Sequence, residues 1–121
     1  MEMTGELGPL DWKFIKEVNA DIEKNLQKTE YNINALSASL CMSRTSFYNK
    51  IKALTGQAPS EYVRLIRLKH AARMLKDGVY NITEVAERTG FNDPKYFREV
   101  FKKYYKVAPS QYASGESSYT V

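Results

Sequence analysis

The chain repeats one pattern, and this repeat restricts the possible folds more than any other feature of the sequence. The heptapeptide YNINALS begins at Tyr31, and YNITEVA begins at Tyr80, 49 residues later. The pentapeptide APSEY begins at Ala58, and APSQY begins at Ala108, 50 residues later. Two matches in the same order and at nearly the same separation indicate one structural unit used twice. The second copy therefore carries one extra residue between its two matched segments.

The second copy predicts a helix, a turn and a second helix. Asn81 is a good N-cap and Glu84 follows three residues later, which is the arrangement of a capping box. Gly90 breaks the first helix, and Asp93 caps the next, which starts with Pro94 where a missing N–H costs nothing. Helical spacing predicts one apolar stripe on this second helix, made of Phe97, Val100, Phe101 and Tyr104.

The first copy predicts the same arrangement. Asn32 caps its first helix, Ser43 caps its second, and Gly56 ends the second. Phe47, Ile51 and Leu54 form the corresponding apolar stripe. Aligning this stripe with that of the second copy gives an offset of 50 residues, so the extra residue lies in the second turn, around Asp93 and Pro94.

Two further helices complete the prediction. The segment from Ser60 to Asp77 lies between the copies and, as a helix of 18 residues, would span about 27 Å. Its inward positions are predicted to be Tyr62, Val63, Ile66, Ala71 and Leu75. An amphipathic helix from Asp11 to about Leu26 precedes the first copy, and no segment alternates like a strand. The sequence therefore predicts an all-α fold of about seven helices.

The charge distribution points toward a polyanionic partner. The formal net charge is +4, but residues 1–30 carry −3 whereas residues 31–121 carry +7. The single cysteine, Cys41, excludes an internal disulfide. No apolar run approaches the roughly 20 residues of a membrane span, and no signal peptide opens the chain. We therefore expect a cytoplasmic fragment without membrane contact.

The doubled helix-turn-helix predicts DNA recognition, because such a unit places its second helix in the major groove. On both second helices, polar or basic side chains point away from the apolar stripe. By residue type, Arg44 and Arg98 can bond guanine, Asn49 adenine, Thr45 the thymine methyl and Glu99 cytosine, and the same outward faces carry Ser46, Tyr48, Lys95 and Tyr96. The candidate phosphate contacts are Lys50, Lys52, Lys102 and Lys103.

The sequence also resembles a known family. The stretches MSRTSFYNKIKALTGQAPSEYVRLIRLKHAARML and ITEVAERTGFNDPKYFREVFKKYYKVAPSQY resemble the AraC-type DNA-binding domain of bacterial transcription regulators. The most specific matches are Ala86, Gly90, Phe91, Tyr96, Phe97, Phe101, Lys102, Pro109 and Tyr112. The first copy, with its acidic-leaning helix upstream, is more similar to output domains of hybrid two-component sensors.

The resemblance implies two helix-turn-helix subdomains joined by a long linker helix, which place their recognition helices in successive major grooves. Carried over residue by residue, it implies base-reading positions at Thr45, Ser46, Tyr48 and Asn49, flanked by Arg44, and at Lys95, Tyr96, Arg98 and Glu99. It implies double-stranded DNA and RNA polymerase as partners, and a larger regulatory chain upstream. We expect a linker or cloning remnant at 1–10 and a flexible tail at 113–121. Within the domain at 11–112, the predicted subdivisions are 32–56 and 81–106 for the two units and 60–77 for the linker helix.

Two residues depart from the family pattern. Cys41 and Lys106 stand where the family has glycine, in positions that favour a positive φ, so local backbone strain is expected there. We also expect Cys41 to lie in a buried-type turn, as a small hydrophobic residue.

Other interpretations remain open at this stage. Tyr96 fits a core position as well as a DNA contact, and Glu99 can pair with Lys95 or Lys103 on its own helix. The basic face could instead dock an acidic protein, or the chain could be a complete small activator. No nucleophile–base set, phosphate loop or metal-ligand spacing is present in the sequence, so we expect no enzyme, no cofactor and no metal. His70 is best explained as a scaffold residue.

Overall fold

The computed structural model describes residues 8–115, which form seven helices and no strand. This confirms the predicted all-α fold. The helices are α1 Pro9–Lys24, α2 Ile33–Ser39, α3 Arg44–Thr55, α4 Pro59–Asp77, α5 Ile82–Arg88, α6 Pro94–Tyr105 and α7 Pro109–Ala113. Residues 1–7 of the expected linker and 116–121 of the expected tail lie outside the described residues.

Helix α1 begins two residues before the predicted start at Asp11, and it ends at Lys24 rather than near Leu26. Pro9 occupies its first turn, where the absent N–H needs no partner. Pro9 and Leu10, which we expected in the linker, therefore belong to the helix.

The helix boundaries reproduce the repeat. Helix α5 starts 49 residues after α2, and α6 starts 50 residues after α3. Four residues, 40–43, separate α2 from α3, whereas five, 89–93, separate α5 from α6. The extra residue of the second copy thus lies in its turn, as predicted. Helix α7 starts 50 residues after α4, so it corresponds to the first turn of the linker helix.

The chain divides into two compact units that are not contiguous in sequence. The described part of unit 1 comprises residues 8–25 and Glu30–Ile66. That of unit 2 comprises Leu26–Thr29 and residues 67–115. The short segment after α1 is therefore part of unit 2, although the helices on either side of it, α1 and α2, belong to unit 1.

The core of unit 1 joins α1 to the first helix-turn-helix. Its fully or nearly buried side chains include Phe14, Ile15, Val18, Ile22, Leu36, Phe47 and Ile51. The rings of Phe14 and Phe47 lie 6.1 Å apart, so they connect α1 directly to α3. The hydroxyl of Tyr62 donates a 2.7 Å hydrogen bond to Asn19 Oδ1, which ties the start of α4 to α1.

The core of unit 2 is built on a row of aromatic rings. Ring centroids of Phe91 and Phe97 lie 5.1 Å apart, and those of Phe97 and Phe101 lie 5.7 Å apart. The predicted stripe is wrong at Tyr104, which is 45% exposed. Tyr105 stacks on Phe101 instead, at 4.6 Å. The reason is α7, whose Tyr112 packs against both Phe101 and Tyr105 and so covers that side of α6.

Both family departures lie in the left-handed region, as expected. Cys41 has φ +58° and Lys106 has φ +70°. Cys41 is exposed, however, so the expectation of a buried-type turn is wrong. The turn is hydrogen-bonded to α2 through its main chain, with the Cys41 N–H donating to the Ala38 carbonyl oxygen, while the Cys41 side chain faces solvent.

Candidate nucleic-acid interface

Helix α3 separates an inner apolar face from an outer polar face. Ser43 caps it by accepting a 3.1 Å hydrogen bond from the Ser46 N–H. Phe47 and Ile51 are fully buried, and Thr55 replaces the predicted Leu54 as the next buried residue. The outer face exposes Arg44, Thr45, Ser46, Tyr48, Asn49 and Lys52. All five predicted base-reading residues of the first copy are therefore accessible.

The outer face of α3 forms one wall of a shallow, open concavity of about 430 Å³. Its lining consists of Ile33 from α2 and Arg44, Thr45, Tyr48 and Asn49 from α3. Four of the predicted base-reading residues thus converge on one hollow, whereas Ser46 lies outside it. The lining combines hydrogen-bond donors and acceptors with one apolar side chain, which suits the edge and methyl group of a base pair.

Lys50 does not share this surface. Its side chain is half-buried, and Nζ lies 4.4 Å from the centre of the Phe14 ring. A cation over an aromatic face gains electrostatic attraction, so this lysine helps to hold α3 against α1. Its predicted phosphate contact remains a prediction.

Helix α6 presents a strongly cationic outer face. Asp93 caps the helix by accepting a 3.0 Å hydrogen bond from the Lys95 N–H, while Phe97 and Phe101 are fully buried beneath. The exposed side chains are Lys95, Tyr96, Arg98, Glu99, Lys102 and Lys103. Every predicted contact residue of the second copy is therefore accessible. Tyr96 serves both interpretations, because it is 43% exposed yet its ring lies 6.3 Å from Phe91.

The two outer faces differ in charge at matched positions. With the 50-residue offset, Thr45 corresponds to Lys95, Tyr48 to Arg98, and Asn49 to Glu99. Lysine is kept at one pair, Lys52 and Lys102. The first helix thus offers mainly neutral hydrogen-bonding groups, whereas the second offers mainly cations.

The sequence did not predict the role of Arg67, which is only 7% exposed. Its Nη1 donates to the carbonyl oxygens of Leu26 at 2.7 Å and Thr89 at 2.8 Å. Its Nη2 donates to the Lys28 carbonyl oxygen at 3.3 Å. The available signal was its spacing, since it lies midway between the inward positions Val63 and Ala71 on α4.

Over residues 8–115, no group of histidine, cysteine, aspartate and glutamate is arranged to hold a metal ion. None of the helices described is long and apolar enough to cross a membrane.

A family model described as a helix-turn-helix domain matches residues 36–115. Among curated proteins, the chain is 37% identical over 106 residues to histidine kinase P4 of Formosa agariphila. That alignment covers 88% of this chain but only 8% of the kinase.

Two solved structures share the fold at useful sequence identity. One is the DNA-binding domain of AdpA in complex with a target DNA, with TM-score 0.75 and 31% identity over 84% of this chain and 90% of that one. The other is the C-terminal domain of the two-component response regulator yesN from Fusobacterium nucleatum, with TM-score 0.75 and 28% identity. It is matched over 84% of this chain and 98% of that one.

Proposed function

The chain belongs to the AraC-type helix-turn-helix domains, and we propose that it binds double-stranded DNA sequence-specifically as the output module of a bacterial transcription regulator. In this proposal α3 and α6 enter adjacent major grooves, whose centres are about 34 Å apart on straight B-DNA. If the spacing of the two helices does not match straight B-DNA, either the duplex bends or one unit binds loosely.

One observation carries the proposal: the two repeats expose equivalent faces of their second helices. Both helices bury the residues at matched positions, Phe47 with Phe97 and Ile51 with Phe101. Both therefore turn the opposite side, with its polar and basic residues, to solvent. A surface that only faces solvent gives no reason for two equivalent faces. On DNA the major groove recurs once per helical turn, so two equivalent helix faces can each contact it.

The side chains suggest a role for each position. Arg44 and Arg98 suit bidentate bonding to guanine, Asn49 suits adenine, and Glu99 can accept from cytosine. Thr45, Ser46, Tyr48, Lys95 and Tyr96 complete the proposed base-reading set. The proposed phosphate contacts are Lys50, Lys52, Lys102 and Lys103, since an ammonium group acts as a point charge.

The wider assignment rests on the relatives. The similarity to histidine kinase P4 and to a response-regulator domain supports the output domain of a hybrid two-component sensor. We propose that a larger upstream region brings two copies together, and that the DNA-bound module contacts RNA polymerase. This role places the fragment in the cytoplasm, where bacterial DNA lies.

The proposal is tested by selection from randomised duplexes, followed by a salt titration on the selected and on a random duplex. Binding to both should weaken steeply with salt through release of counterions from the phosphates. The selected duplex should bind at least about a thousandfold more tightly at physiological salt. If no sequence is enriched and no duplex binds with a steep salt dependence, the protein-docking alternative is favoured instead.

A further inference from the structure

Arg67 connects two backbone segments of unit 2 that are distant in sequence. Leu26 and Lys28 lie in the short segment after α1, and Thr89 lies in the turn between α5 and α6. A planar guanidinium holds its donors in a fixed fork, so the three carbonyl oxygens are fixed relative to one another. The turn that carries α6 is therefore attached to the segment after α1 through one side chain.

Thr89 is itself held firmly on the other side. It is fully buried, and its hydroxyl donates a 2.7 Å hydrogen bond to the Val85 carbonyl oxygen in the last turn of α5. The end of α5 is thus bonded both within its own helix and to Arg67. Buried polar groups that are fully bonded rigidify their surroundings, and the same groups are costly when one partner is lost.

Gly90 shows how closely the guanidinium approaches the turn. Its φ is +88°, and a Cβ at this position would lie 1.3 Å from Arg67 Nη1 and 2.5 Å from the Leu26 carbonyl oxygen. Glycine is therefore needed for space as well as for its backbone conformation. The equivalent left-handed position of the first copy, Cys41, carries an exposed side chain, so this close approach is a property of the second copy.

We propose that Arg67 is a positioning residue for DNA recognition, which acts by fixing the turn that sets the direction of α6. Arg67 is buried and does not lie on the outer face of α6, so its effect on DNA passes through the turn. The inference rests on the proposed function. It predicts that Arg67 affects binding to the half-site of α6 and leaves binding to the half-site of α3 unaffected.

The test is a double-mutant cycle between protein and DNA. Wild type, Arg67→Met and Arg67→Lys are each titrated on the selected duplex and on a duplex whose α6 half-site is scrambled. Arg98→Ala identifies that half-site, because this substitution should lower affinity for the selected duplex but not for the duplex whose α6 half-site is scrambled. Arg67→Met should bind the selected duplex about tenfold or more weakly, yet change affinity for the scrambled duplex less than about twofold. Arg67→Lys, which keeps N–H donors but not their planar fork, should bind the selected duplex with an affinity between those of the wild type and Arg67→Met.

A merely structural role gives a different result. Partial unfolding lowers the competent fraction and so reduces apparent affinity by the same factor on every duplex. Equal losses on the two duplexes, or no loss on either, would overturn the proposal. If Arg67→Met does not fold, the same comparison is made with Arg67→Lys in its place. If the wild-type protein binds the two duplexes with equal affinity, both this proposal and the proposed function fail. If the wild-type protein prefers the selected duplex but the variants lose affinity equally on both duplexes, only this proposal is overturned.

Discussion

Gly56 and Lys106 occupy the same left-handed backbone position at the ends of α3 and α6. Their φ values are +77° and +70°, and their N–H groups donate to the carbonyl oxygens of Lys52 and Lys102 at 2.9 and 2.8 Å. Glycine adopts this conformation without steric cost, whereas a residue with a Cβ loses about 1 kcal/mol. The second copy therefore keeps a strain that the first avoids.

Replacing Lys106 should relieve this strain. Lys106→Gly and Lys106→Ala remove the same charge at the helix end, but only Lys106→Ala retains the Cβ. The glycine variant should be more stable than the alanine variant by about 0.5–1 kcal/mol in urea unfolding. The converse change, Gly56→Lys, should destabilise by about 1 kcal/mol. Equal stabilities of the two Lys106 variants would show that the position is unstrained.

Arg98 and Lys102 should differ in what they contribute to binding. Arg98→Ala should cost about 1–3 kcal/mol on the selected duplex and relax base preference at one position. Lys102→Ala should weaken all duplexes alike and lower the salt slope by about 1. Both are read from titrations over a panel of single-base variants at several salt concentrations. Neutral behaviour of Arg98→Ala on the selected duplex would refute its base-reading role.

The N-caps of the two units provide a matched pair. Asn32 Oδ1 accepts from the Ala35 N–H at 3.0 Å, and Asn81 Oδ1 accepts from the Glu84 N–H at 2.8 Å. Asn81→Ala and Asn32→Ala should each lower the free energy of unfolding by about 1 kcal/mol. In the second unit, Glu84→Ala should also lower the free energy of unfolding, because the Glu84 Oε1 accepts a 2.9 Å hydrogen bond from the Asn81 N–H. Urea unfolding followed by circular dichroism measures all three, and an inert Asn81→Ala would argue against the cap.

Tyr62 should make stability depend on alkaline pH. Burial raises the pKa of its hydroxyl above the usual 10.0, and nearby Glu23 raises it further. The folded protein therefore keeps this proton at pH values where the unfolded chain loses it, so stability falls as pH rises above about 10. Tyr62→Phe should be about 0.5–1.5 kcal/mol less stable at neutral pH, because the bond to Asn19 is lost. That difference should shrink toward pH 11; a constant difference would contradict the shifted pKa.

Local sequence patterns correctly predicted the structural features that depend only on residues close together in the sequence. The caps at Asn32, Ser43, Asn81 and Asp93, the helix type of each segment and the extra residue in the second turn all follow from short-range rules. The exposed faces of α3 and α6 followed from the same periodicity.

Local patterns did not predict the contacts between distant segments. The choice between Tyr104 and Tyr105 depends on Tyr112 in α7, and the orientation of Lys50 depends on Phe14 in α1. The burial of Arg67 depends on carbonyl groups 41 residues before it and 22 after it. Helical spacing places a residue on a face but does not identify what covers that face.

The position of the segment Leu26–Thr29 in unit 2 limits how this protein can be divided. A gene fragment that starts at the linker helix would encode the second helix-turn-helix without the buried Leu26 side chain, and without two of the carbonyl acceptors that Arg67 uses. The repeat suggests two interchangeable modules, yet neither module is a continuous stretch of the chain. Swapping one recognition unit between relatives therefore requires exchanging this short segment together with the helices that it supports.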